Sequence, residues 1–301
     1  MHQTIGIIGV GHVGSAAAAA IIEHNICNTL LLFDSNHIKA EAQSLDLQDM
    51  LAFRARNTKI QAVQSIEQLA SVNIIINAIG PTGKMQADRL EELSETAAST
   101  KEIFPLLMAA GFDGIILNIT NPCDVITALI QKITGLPTTR VFGTGTALDT
   151  ARLKRILAKE LAISPTDIHG FVLGEHGESQ FVSWSSLTIQ MQSPDHFTGL
   201  PPLQKLEDDI RRAGWDIFLG KGHTSFGIGM VAATICSHIF TDAHALLPLS
   251  VYSQEFTTYI GLPACISANG VSIAKLPPLT PEEAKKLRCS AEIILAATNS
   301  C

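Results

Sequence analysis

No stretch of this 301-residue chain concentrates Lys or Arg, and the formal net charge is -7. The sequence therefore carries no electrostatic footprint for nucleic acid or an anionic lipid surface. Its six cysteines, Cys27, Cys123, Cys236, Cys265, Cys289 and Cys301, include no C-x-x-C pair and are too sparse for a disulfide scaffold. That usage predicts free thiols, a reducing cytoplasmic location and no structural metal. The opening residues lack the basic stretch and apolar run of a signal peptide. The most apolar segments, residues 15–22 and 73–79, fall well short of the about 20 residues that a membrane span needs. What the chain does have is 46% hydrophobic against 16% charged residues, enough for a large core divided between two domains. A small molecule is the expected partner.

Residues 4–10 form an apolar run that meets glycines and then an Ala-rich segment over 15–24, which reads as strand, tight turn and helix. Further strands are predicted over 29–33, 59–63, 73–79, 114–119 and 140–142, with helices over 35–53, 91–110 and 123–134. Alternation of strand and helix predicts a doubly wound parallel α/β sheet of the Rossmann type over residues 1–145. Beyond Gly145 the texture changes. A helix over 149–160, a strand over 168–173, β-rich segments over 181–192 and longer helices after Leu203 and Met230 predict a mixed α+β substrate domain over 146–301.

Gly9-Val10-Gly11-His12-Val13-Gly14 fits G-x-G-x-x-G between the first strand and the first helix, and Asp34 follows Gly14 by 20 residues at the end of the second strand. The first glycine permits the turn, the second lets backbone approach a pyrophosphate, and the third lets helix pack on strand, with the phosphates at the helix N-terminus. Asp34 is placed to accept from ribose hydroxyls and to repel a 2'-phosphate, so NAD is expected rather than NADP.

Two further segments, Leu148-Asp149-Thr150-Ala151-Arg152 and Gly174-Glu175-His176-Gly177, contain what the reduction of a 2-oxo acid requires. Arg152 can grip a carboxylate through parallel hydrogen bonds, His176 titrates near neutrality and can protonate a developing alkoxide, and Asp149 can orient that imidazole. Asp149 and Arg152 lie three apart on one helix face.

With these motifs, and with Asn73-to-Gly80, Arg89-Leu90, Thr120-Asn121-Pro122, Gly143-to-Thr146 and Gly222-His223-Thr224-Ser225, the chain resembles the lactate/malate dehydrogenase superfamily over nearly its whole length. Within it, residues 143–152 and 174–184 look most like the L-2-hydroxyisocaproate dehydrogenases and next most like the L-lactate dehydrogenases. The resemblance implies an NAD-dependent L-2-hydroxyacid dehydrogenase with His176 as acid/base, Asp149 as its partner and Arg152 as carboxylate anchor. It implies that Arg89 polarises the substrate carbonyl from a mobile loop, that Asn121 contacts nicotinamide or substrate, and that Thr224 borders the substrate pocket. It also implies a homotetramer or homodimer. At the position where malate dehydrogenases place Arg and lactate dehydrogenases Gln stands Gly83. Without a cation there a dicarboxylate has no designed second partner, and the freed volume leads us to expect 2-oxo acids with larger side chains, such as 2-oxoisocaproate, with pyruvate as the alternative.

Overall fold

The computed structural model describes residues 2–53, 58–80 and 89–301, and for residues 89–92 the backbone alone. Six short strands, β1 (Thr4–Ile8), β2 (Thr29–Phe33), β3 (Lys59–Ala62), β4 (Ile74–Asn77), β5 (Ile115–Asn118) and β6 (Val141–Gly143), pair in parallel in the order β3-β2-β1-β4-β5-β6. The register runs Thr4 to Thr29, Ile5 to Ile74 and Ile74 to Ile115. β4 and β5 are buried at every position, as expected of parallel strands covered on both faces, which explains why they read as unbroken apolar runs.

The crossovers are α1 (His12–Glu23), α2 (His37–Leu51), α3 (Arg89–Ala109) and α4 (Cys123–Thr134). Asn36 caps α2 by accepting from Lys39 N–H, and Gly135, in the left-handed region at φ 64°, ends α4. α5 (Ala147–Leu161) leads into two-residue strands, β7 (Ile168–His169), β8 (Val172–Leu173), β9 (Phe181–Val182) and β10 (Thr188–Ile189). The predicted strand over 168–173 is thus split at Gly170, whose φ of 157° breaks the extended run. α6 (Leu203–Lys221) and α7 (Phe226–Phe240) follow; α7 begins four residues before the expected start at Met230.

β11 (Ala245–Ser253), β12 (Thr258–Ser267) and β13 (Gly270–Ile273) are joined antiparallel, and β11 pairs with β6 at Ser250 and Gly143. The central sheet therefore has nine strands and runs from the first half of the chain into the second. α8 (Pro281–Asn299) closes the chain with a capping box between Thr280 and Glu283. The main core lies on both faces of the large sheet. A second apolar cluster, including Leu153, Leu157, Ile168, Val172, Val182, Leu206 and Ile210, joins α5 to α6 and the short strands between them. Burying each such side chain contributes about 1.5–3 kcal/mol, so Leu153 and Leu157 anchor the helix that also carries the buried Asp149 and Arg152. Among the described residues no helix is long and apolar enough to cross a membrane.

Candidate active site

The glycine loop sits at the carboxyl end of β1 and runs straight into α1. Gly9 adopts φ 87°, and a β-carbon there would fall 2.5 Å from Ala78 O. At Gly14 a β-carbon would lie 1.9 Å from Gly9 O, whereas one at Gly11 would meet nothing within 4 Å. Two of the glycines are therefore demanded by packing, while Gly11 faces open space that a side chain would fill. Gly11 also gives α1 no side-chain cap, and the first turn has no acidic residue, so the helix presents its free N–H groups beside that space. His12, exposed, is the first residue of α1, and Val13, half-buried, is the second.

Asp34, buried, accepts from Val10 N–H at 2.9 Å and Asn36 N–H at 3.0 Å and pairs with Lys39 Nζ at 2.8 Å. This acid ties the glycine loop to the end of β2. The open cradle, the uncapped helix and the adjacent carboxylate fit a dinucleotide with free ribose hydroxyls, and these residues would hold it along its pyrophosphate and adenosine half.

In the second half of the chain, Asp149 of α5 is completely buried. Its Oδ1 accepts from Arg152 Nη1 at 2.7 Å and its Oδ2 lies 2.6 Å from His176 Nδ1. One carboxylate thus bridges the guanidinium and the imidazole, leaving Nε2 as the outward nitrogen of His176. Burial pushes the Asp149 carboxyl up, but the charges and hydrogen bonds of His176 and Arg152 outweigh it and hold it below the ordinary value of 3.8. For His176, burial and Arg152 favour the neutral ring; the charge and hydrogen bond of Asp149, helped by Asp124, prevail, and the imidazole is held above 6.5.

The loop carrying His176 is fixed from three sides. Gly174 and Gly261 of β12 exchange backbone hydrogen bonds at 3.0 and 2.9 Å. Ser179 binds Glu175 through both its N–H and its hydroxyl. His176 N–H donates to Oδ2 of Asp124, whose Oδ1 accepts from the Ser250 hydroxyl at 2.5 Å. Asp124, in the first turn of α4, has its pKa pushed up to about 6 by burial, against the lowering effect of those two hydrogen bonds. Neither Asp124 nor Ser250 was singled out in the sequence. Asp124 follows Asn121-Pro122-Cys123 directly, which is a local signal, but its partner Ser250 is 126 positions away.

Arg152 is nine-tenths buried, and its Nε has no hydrogen-bond partner among the described residues. Gly214 of α6 lies against the guanidinium: a β-carbon there would be 3.1 Å from Nη2 and 3.3 Å from Nη1. Gly214→Ala is expected to raise the substrate KM several-fold by crowding Arg152, with Tm unchanged or higher, because Ala favours a helix interior over Gly by about 1 kcal/mol. Thermal melts and steady-state kinetics on the same preparation separate the two effects.

Asn121 is exposed just past β5, before a cis Asn121–Pro122 bond. Thr224 is half-buried in the turn between α6 and α7. Arg89 is the first residue of α3, but its side chain, like Gly83, lies outside the described residues. The structure thus brings Asp149, Arg152 and His176 into direct contact and sets the glycine loop and Asp34 together; it gives no contact between these two groups.

Residues 3–143 match the family described as lactate/malate dehydrogenase, NAD binding domain, and residues 146–300 match lactate/malate dehydrogenase, alpha/beta C-terminal domain. The chain belongs to the lactate/malate dehydrogenase family. It is 38% identical to L-lactate dehydrogenase 3 of Bacillus cereus, over 97% of this chain and 96% of that protein. It is 37% identical to an L-lactate dehydrogenase of Fusobacterium nucleatum, over 94% and 92%. Among solved structures, the minor L-lactate dehydrogenase of Enterococcus mundtii superposes with a TM-score of 0.94 at 33% identity, covering 99% of this chain and 98% of that one. A lactate dehydrogenase from a Medee basin deep-sea metagenome library gives the same TM-score and coverage at 30% identity. This member of the family is an NAD-dependent oxidoreductase acting on the CH–OH group of 2-hydroxy acids.

Proposed function

We propose that the chain is an L-lactate dehydrogenase, interconverting pyruvate and L-lactate, with residues 1–145 holding the cofactor and residues 146–301 supplying the acid–base pair. The observation that carries this reading is the single buried carboxylate of Asp149 that contacts both Arg152 and His176, in a chain whose relatives are named L-lactate dehydrogenases. Those names favour pyruvate over the larger 2-oxo acids expected from Gly83, and the expectation of a 2-oxoisocaproate-like substrate gives way to them.

A 2-oxo acid carries its carboxylate and carbonyl on adjacent carbons, and the two oxygens of Asp149 hold one guanidinium and one imidazole, a partner for each group. Arg152 docks the carboxylate with the N–H groups that Asp149 leaves free. His176, its Nδ1 held by Asp149, donates the Nε2 proton to the carbonyl oxygen as charge develops there. Bound NADH supplies the hydride. In the reverse direction neutral His176 takes the hydroxyl proton. Arg89 adds positive charge at the carbonyl oxygen, and Asn121 and Thr224 border the substrate. Gly83 provides no cation, so oxaloacetate brings a second carboxylate without a partner.

The test is NADH oxidation with pyruvate, 2-oxoisocaproate, phenylpyruvate and oxaloacetate. Pyruvate is expected to have the highest kcat/KM. A higher value for 2-oxoisocaproate returns the substrate reading to larger side chains, and a higher value for oxaloacetate contradicts both. We also propose a homo-oligomer: Ile38 and Leu45 on α2 and Leu219 on α6 are large apolar side chains left exposed.

A further inference from the structure

Two histidines 211 positions apart lie flat against one another beside the glycine loop. The rings of His12 and His223 have centroids 3.9 Å apart and planes within 8° of parallel. His12 opens α1 inside the glycine loop, and His223 lies in the turn between α6 and α7. The contact follows from close packing of α1 on α7, where Gly229 lets the backbones approach: a β-carbon there would be 2.7 Å from the carbonyl carbon of Ala16.

The surroundings are electropositive. Lys221, at the end of α6, places its Nζ 3.2 Å from the Ser225 hydroxyl and 4.1 Å from the centre of the Phe226 ring. Neither α1 nor α7 has an acidic residue in its first turn or a side-chain cap, so two helix N-termini, the Lys221 ammonium and two imidazoles converge here. On α5, which packs on α7, both oxygens of Asp149 are committed to Arg152 and His176. β12, also packed on α7, has no charged residue. At the end of β2, Asp34 is engaged by Val10, Asn36 and Lys39.

We propose that His223 is a second-side anchor for the dinucleotide pyrophosphate, reaching across from the α6–α7 turn to the anion that the glycine loop holds, and taking up a proton as the cofactor binds. Partial burial, then the charges of His12 and Lys221, hold His223 below 6.5 in the free protein, so it is neutral at pH 7. A pyrophosphate beside it reverses that balance. Affinity then falls as pH rises, because the bound state holds a proton that the free state lacks. The inference rests on the assignment of NAD as cofactor.

The test uses NADH, ADP-ribose and adenosine as probes of the parent and of His223→Phe, which keeps a flat ring on His12 but cannot be protonated. ADP-ribose and NADH are expected to bind about 10-fold more weakly to His223→Phe at pH 6, as for one lost charge-assisted contact, and within about 2-fold of the parent at pH 8.5, where the imidazole is neutral. Adenosine, which has no phosphate, is expected to bind both proteins alike. His223→Gln provides the same comparison if the Phe variant fails to fold. Equal ADP-ribose affinity of parent and variant at pH 6, or an equal loss for adenosine, overturns the proposal. Failure of the parent itself to bind NADH overturns instead the cofactor assignment beneath it.

Discussion

His176→Asn is expected to lower kcat for pyruvate reduction by about 10³-fold or more while NADH binds within about 2-fold of the parent. Positioned proton transfer is worth about 10² to 10⁴-fold, and the same substitution removes the positive charge that His176 presents to the developing alkoxide. The cofactor cradle is untouched, since it is built from residues 9–14 and Asp34 on other elements. The loop keeps its place, because the Gly174–Gly261 bridge and the hydrogen bond from residue 176 to Asp124 are made by backbone N–H and carbonyl groups on the loop side. Steady-state kinetics with an NADH fluorescence titration read the two quantities separately. Turnover within tenfold of the parent removes His176 from the proton-transfer role.

Arg152→Lys should act on a different constant. The ammonium retains the charge that Asp149 needs but loses the planar fork, so the substrate carboxylate is held at one point rather than two. A hydrogen bond between charged groups contributes about 1.5–3 kcal/mol. The KM for pyruvate is therefore expected to rise about 10- to 100-fold, with a smaller change in kcat. An unchanged KM places the carboxylate elsewhere. The contrast between the two variants matters as much as either value, since both residues lean on the same buried carboxylate and a general loosening of α5 would move kcat and KM together.

The first half of the fold was legible because its signals are local. Residues 74–76 and 115–117 are continuous apolar runs, and the glycine loop and Asp34 stand at the ends of adjoining strands. The β11–β12 hairpin was not legible. Gly261 and Pro263 interrupt β12 as a pattern, yet Gly261 is required there: a β-carbon would come within 2.5 Å of Gly174 O. A residue that reads as a strand breaker is thus what allows the His176 loop to dock. Nor does sequence order suggest that the sheet continues through β6 into β11, because that junction rests on one pairing across more than a hundred residues.

At the site, the Asp149–Arg152 pair was readable from helical spacing and His176 from its glycine-flanked segment. The support beneath them, Asp124 with Ser250 and Gly214 against the guanidinium, is tertiary and has no spacing to reveal it. The substrate expectation drawn from Gly83 inferred size from one loop position, and relatives matched over nearly the whole chain are named L-lactate dehydrogenases rather than enzymes of larger 2-oxo acids.

The pairing of Asp149 with His176 is the claim on which the chemistry turns, and the pH dependence of kcat/KM for pyruvate reduction tests it in the parent and in Asp149→Asn. Reduction requires the protonated imidazole, so in the parent the rate should fall as pH rises through a pKa above the ordinary 6.5. With the carboxylate gone, burial and the Arg152 charge act on His176 unopposed by Asp149. The break should then move to lower pH, with a large loss of maximal rate. The same break in both proteins would contradict the account.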